Sequence, residues 1–173
     1  MRTVKWSWLV LCGVVFAQAS WAQDAEDADD AAENWVVYVE ENPLSCWVVA
    51  APSSTENSRD GESVAVNRGD TLFFVSYWPE QRRLGEVSFT GGYPFEERSV
   101  RIEIGEQSFD FFSEGEMAWA LSEAQDGLIV DAMRTGSDAV MVGRSTRGTD
   151  TRDTFSLDGF TAAISDAEAR CGS

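Results

Sequence analysis

From Trp35 to Leu157 the chain never holds one hydrophobic period for long. Short runs, apolar or alternating, are broken again and again by Gly, Asn, Asp and Pro, the pattern of strands joined by tight turns. Strands are expected over 35–39, 46–50, 63–66, 71–78, 86–90, 99–104, 107–112, 139–144 and 151–157. Val100, Ile102 and Ile104 alternate with Arg101 and Glu103, giving a strand with one buried and one wet face. Thr71–Trp78 is apolar on both faces and belongs in the middle of a sheet. Asn67-Arg68-Gly69-Asp70 reads as a hairpin turn, and Gly91-Gly92, Gly105 and Arg147-Gly148 as further turns.

Two stretches have helical periodicity instead. Over 123–135, Ser122 and Gln125 stand at capping-box spacing, Leu128, Ile129, Ala132 and Met133 make an apolar stripe, and Gly136 marks the stop. Over 161–170, Ile164 and Ala167 share a face with Cys171. The expected fold is mainly β: an antiparallel β-sandwich with two short helices, one at the C-terminus, as a single domain over 35–173. About 135 ordered residues suffice for one core.

The N-terminus reads as a signal peptide over residues 1–22. Arg2 and Lys5 precede an apolar stretch from Trp6 to Ala17, and Ser20-Trp21-Ala22 offers small residues for cleavage after Ala22, with Ala19 as the second choice. The stretch is shorter than the ~20 residues of a membrane-spanning helix, so no membrane insertion is expected after cleavage. Leu9-Val10-Leu11-Cys12 is a poor lipoprotein site, because Leu11 is bulky and the apolar run continues past Cys12. Residues 23–34, rich in Asp, Glu and Ala, read as an acidic disordered tail. The expected address is the periplasm or the exterior of a bacterium. There, Cys46 and Cys171, the two cysteines left after cleavage, are expected to pair as a disulfide.

The formal net charge is −17, and loss of Arg2 and Lys5 makes the mature chain more acidic still. Such a field repels nucleic acids. There is no histidine, and Lys5 is the one lysine. An imidazole base, a histidine metal ligand, a Schiff base and a phosphate-loop lysine are all excluded from the mature protein. No cofactor or metal is expected. With so many acids, pairs at glycosidase spacing arise by composition alone, and nothing in the sequence marks one as catalytic. The chain is therefore read as a non-enzyme.

One region is more specific. Gly143-Arg144-Ser145-Thr146-Arg147-Gly148-Thr149, followed by Thr154-Phe155-Ser156-Leu157-Asp158-Gly159-Phe160-Thr161-Ala162-Ala163, resembles the invasion-associated locus B family of bacterial exported proteins. Gly92-Tyr93-Pro94-Phe95, Ala118-Trp119 and Ala132-Met133-Arg134-Thr135-Gly136 are similar to its shorter members. The resemblance covers about residues 35–171 and implies an extracytoplasmic β-sandwich with no established enzymatic activity. It supplies no catalytic residues to carry over.

The expected function is an exported interaction module of the envelope or exterior, with a protein or glycan partner. The alternative is a sandwich that binds carbohydrate or a small ligand through exposed aromatics, for which Trp78 and Tyr93 are the candidates. Positive charge gathers once: Arg144, Arg147 and Arg152 interleave with Ser145, Thr146, Thr149 and Thr151. Arg144, Ser145, Arg147 and Arg152 are the candidates for docking an anionic group, since guanidinium forks grip two oxygens at once. Arg68-Gly69-Asp70 also spells an integrin-type tripeptide, a weak motif in so short a turn.

Overall fold

The computed structural model describes residues 34–172. The signal-peptide and acidic-tail readings lie outside the described residues, apart from Asn34. Eleven strands form one continuous antiparallel sheet: β1 (Val36–Glu41), β2 (Leu44–Ala50), β3 (Ser54–Arg59), β4 (Glu62–Ser63), β5 (Leu72–Trp78), β6 (Arg83–Thr90), β7 (Arg101–Ile104), β8 (Gln107–Glu114), β9 (Met117–Ala120), β10 (Asp138–Arg144) and β11 (Asp150–Ser156). Their spatial order is β1-β2-β5-β6-β9-β8-β7-β10-β11-β3-β4. Helices α1 (Glu123–Thr135) and α2 (Phe160–Cys171) complete the fold.

The sheet becomes a sandwich at β8. Gln107–Asp110 pair with β7, whereas Phe111–Glu114 pair with β9, so one strand serves both layers. Strand alternation then fills the space between the layers. Phe73 and Val75 of β5, Val87 and Phe89 of β6, Ile102 and Ile104 of β7 and Phe155 of β11 are all buried. Phe155 spans the layers, with its ring centroid 5.6 Å from Phe73 and 6.1 Å from Phe89. Each buried Phe or Ile of this kind contributes about 1.5–3 kcal/mol. β5 lies between β2 and β6, in the interior of its layer as its two apolar faces require.

β3 was not legible as a strand, because Ser54–Arg59 has no apolar residue. Its signal lies in the following dipeptide: Asp60 and Gly61 both have positive φ, 54° and 83°, as a two-residue hairpin turn demands. That turn limits β4 to Glu62–Ser63, so the strand expected over 63–66 shrinks to its first residue. β9, with four residues, is too short to show a strand period of its own.

Both helices cover the layer that contains β2, β5 and β6. In α1, Asp126, Ile129, Val130 and Met133 are buried at positions i, i+3, i+4 and i+7, whereas Leu128, expected in the stripe, is 58% exposed. Gln125 N–H donates to Ser122 Oγ (3.3 Å) as the capping spacing requires. In α2, Phe160, Ala163, Ile164, Ala167 and Cys171 face inward. The joint before it, Ser156-Leu157-Asp158-Gly159-Phe160, buries Leu157 and Phe160 on either side of a left-handed Gly159 (φ 82°). Trp35 closes this end, its indole N–H donating to the Ser156 carbonyl at 2.8 Å and its ring 4.9 Å from Phe160. Cys171 is bonded to Cys46 of β2, which fastens the last helix to an early strand.

Asp126 has a specific structural task. β9 reaches along β6 only as far as Ser88, which leaves the next outward amide, that of Val87, without a strand partner. Asp126 Oδ1 accepts from it at 2.8 Å. Burial, reinforced by Glu86 and Glu123, pushes this carboxyl from 3.8 up to about 6 despite the amide. Between about pH 4 and pH 6 the folded chain therefore holds a proton that the unfolded chain has released, and stability falls as pH rises. Below that window the residue has no effect; above it the penalty is complete. Asp126→Asn keeps the acceptor and removes the charge. It is expected to raise stability at about pH 8 by on the order of 1–3 kcal/mol and to leave it unchanged near pH 3.5. Urea unfolding at the two pH values checks this; an equal effect at both would contradict it.

Candidate functional site

At one end of the sandwich, the β10–β11 turn, the loop after β6 and the segment between β4 and β5 enclose a cleft of about 510 Å³. Arg68, one of its lining residues, answers an acid in an unusual place. Alternation along β11 puts Asp153 on the inner face between Thr151 and Phe155, and it is fully buried. A charge so placed needs a partner, which comes from the Asn67–Asp70 turn. Arg68 donates to both carboxylate oxygens, at 2.9 and 2.7 Å, and from Nε to the Gly91 carbonyl at 2.9 Å. Thr55 Oγ1 donates to the same carboxylate at 2.8 Å.

This overturns two readings of the tripeptide. Asn67–Asp70 is not a hairpin turn, because β4 and β5 do not pair. Nor is it presented for adhesion, since the Arg68 side chain is only 9% exposed. The turn is instead clasped to the next loop: Gly69 N–H donates to the Gly92 carbonyl at 2.9 Å. A Cβ on Gly92 would lie 2.4 Å from the Gly69 oxygen, and Gly92 has φ 68°, so both space and backbone conformation demand glycine there.

Tyr93 follows and forms a wall. Its ring lies under the Arg68 guanidinium, 5.0 Å from centroid to Cζ, and edge-on to Phe95 at 4.9 Å. Its hydroxyl is hydrogen-bonded to Thr151 Oγ1. Burial pushes its pKa up to about 12, so it remains a neutral phenol. Tyr93 is thus a half-buried structural residue rather than an exposed platform. Trp78, the other expected platform, is half-buried too, with Arg83 5.8 Å from its ring. The exposed aromatics of the domain include Tyr38 and Phe112.

The expected arginine cluster is divided. Ser145 and Arg147 line the cleft with Thr146, Thr149 and Thr151. Ser145 organises the turn, its Oγ accepting from Thr149 N–H at 3.0 Å. Arg144 points to the other side of the turn and pairs with Glu96 (3.0 Å) and Asp150 (2.8 Å); the Asp150 hydrogen bond raises its pKa further. Arg152 lies on the outer sheet face and pairs with Glu103 at 2.8 Å, holding that carboxyl below its ordinary range. In their place the fold brings Arg59, at the end of β3, into the cleft, where it donates to Thr149 Oγ1 at 2.7 Å.

Among the described residues, Arg68, Arg83, Arg101, Arg134, Arg144, Arg152 and Arg170 each pair with an acid, but Arg59, Arg82, Arg98 and Arg147 do not, and of these four only Arg59 and Arg147 line this cleft. In so acidic a chain, two cations without acid partners share one cleft with a row of hydroxyls and a single acid, Glu116. Such a lining presents planar donors and small polar groups that suit the oxygens of a carboxylate, sulfate or phosphate. Local sequence could have revealed part of this: an aspartate on the inward register of β11 implies a buried cation somewhere in the chain.

Fold and site together define a disulfide-closed β-sandwich with a concave, arginine-bearing loop end, and no helix among the described residues is long and apolar enough to cross a membrane. The disulfide suits an extracytoplasmic setting. The chain belongs to the invasion associated locus B (IalB) protein family, whose profile matches residues 26–168. No curated protein and no solved structure matches it.

Proposed function

We propose that this chain is a non-catalytic interaction module, exported to the periplasm or beyond, that holds an anionic group of a protein or glycan partner in the cleft between Arg59 and Arg147. The observation that carries the reading is that two of the four arginines without an acid partner among the described residues line this one cleft, in a chain with formal charge −17. Binding without chemistry is supported by the residues at hand. The cleft's hydroxyls belong to a chain without histidine, and Tyr93 keeps its proton, so no imidazole or phenolate base activates them.

The test compares Arg59→Ser with Arg147→Ser, as a double variant, against Arg144→Ser. Inorganic phosphate is added at constant ionic strength and the melting temperature followed. A ligand bound only by the folded state raises it. The wild type and Arg144→Ser are expected to rise together and the double variant to stay flat. Without phosphate, the double variant is expected to lose no more than about 1 kcal/mol of stability. Equal rises in all three proteins would defeat the proposal.

A further inference from the structure

We propose that a second site, on the outer face of the β8–β9 hairpin, binds a neutral sugar ring. Trp119 lies across from Phe112 on one side and from Ser88 on the other. The small serine is buried although it is on the outer face, and the indole stacks with Phe112 at a centroid distance of 6.0 Å and 27° between planes. Phe112 is 54% exposed and Leu84, which lines the same groove, 41%. They form the apolar part of a groove of about 570 Å³.

The groove's polar rim decides what fits it. Arg82, Glu114 and Glu123 line it, and among the described residues none of their side chains makes an ion pair or hydrogen bond. A sugar ring has an apolar face of C–H bonds and an edge of hydroxyls that both donate and accept. Flat aromatics meet the first; carboxylates and a guanidinium meet the second. The groove also holds Glu86 and Asp126 against Arg83; this excess of acid disfavours an anionic glycan, and a cation would leave the Arg82 guanidinium without the acceptors that sugar hydroxyls supply. A neutral glycan meets both needs. This site does not depend on the arginine cleft: the stacked pair is on the sheet face, and neither Phe112 nor Trp119 lines that cleft.

The probes are cellotetraose, chitotetraose and, as a cationic control, choline. The readout is the Trp119 indole N–H resonance of the full chain, assigned through Trp119→Phe. A saturable shift with at least one tetrasaccharide is expected. Its affinity should fall roughly tenfold in Phe112→Ala, a change at an exposed position that leaves the fold intact, while Arg59→Ser/Arg147→Ser binds as the wild type does. No saturation with either sugar up to about 10 mM, equal affinity in Phe112→Ala, or saturation by choline alone would overturn the proposal.

Discussion

Arg68→Ala is expected to destabilise the domain by about 3–5 kcal/mol, lowering its melting temperature by roughly 10–20 °C. The magnitude follows from what the substitution leaves behind. Asp153 is fully buried on the inner face of β11, and Arg68 supplies two of its hydrogen bonds and its counter-charge. Alanine also releases the Gly91 carbonyl and uncovers the Tyr93 ring. Arg68→Lys is expected to recover part of the loss, because an ammonium restores the charge but not the planar fork. Asp153→Asn combined with Arg68→Ala should be milder than the sum of the single changes, since no charge then remains unpaired. Thermal and urea unfolding measure all of these. A loss below about 1 kcal/mol in Arg68→Ala would show that the pair is not the keystone of this end of the sandwich.

Breaking Cys46–Cys171 has the other large expected effect. The two half-cystines are 125 residues apart and fully buried. Opening a loop of that length releases about 4–5 kcal/mol of restraint on the unfolded chain in the chain-entropy view. The Cys46→Ala/Cys171→Ala double variant is expected to unfold correspondingly earlier, with α2 the first element to lose protection from hydrogen exchange. That helix keeps Phe160, Ile164 and Ala167 in the core without the bond, so the variant should still fold at low temperature. Non-reducing peptide mapping of the wild type must recover the linked pair. An unchanged unfolding midpoint would mean that packing alone holds the helix.

Most of the fold was legible because alternation and turn chemistry agree. Ile102 and Ile104 against Arg101 and Glu103, and the capped run from Ser122 to Gly136, take the forms their spacing implies. β3 was hidden because a polar strand is recognised by its partner, β11, and not by its own residues. The site was less legible for a related reason. Arg144, Arg147 and Arg152 are neighbours in sequence, yet strand alternation and the turn send them to three different surfaces. Arg59 and Arg68, far from the turn in sequence, meet Arg147 only once β3 has paired with β11 and Gly69 has docked on Gly92. Exposed aromatics followed the same logic. Trp78 and Tyr93 stood out beside turn residues, whereas Phe112 and Trp119 became a pair only through the register of β8 and β9.

The most direct measurement of the central claim is a phosphate titration of the isotopically labelled protein, read at the arginine Nε–H resonances. Saturable shifts are expected at Arg59 and Arg147, with the amides of Ser145 to Thr149 following, while Arg144 and Arg152 stay bound to their acids and move little. Shifts that rise linearly without saturation, or that centre on Arg144 and Arg152, would contradict it.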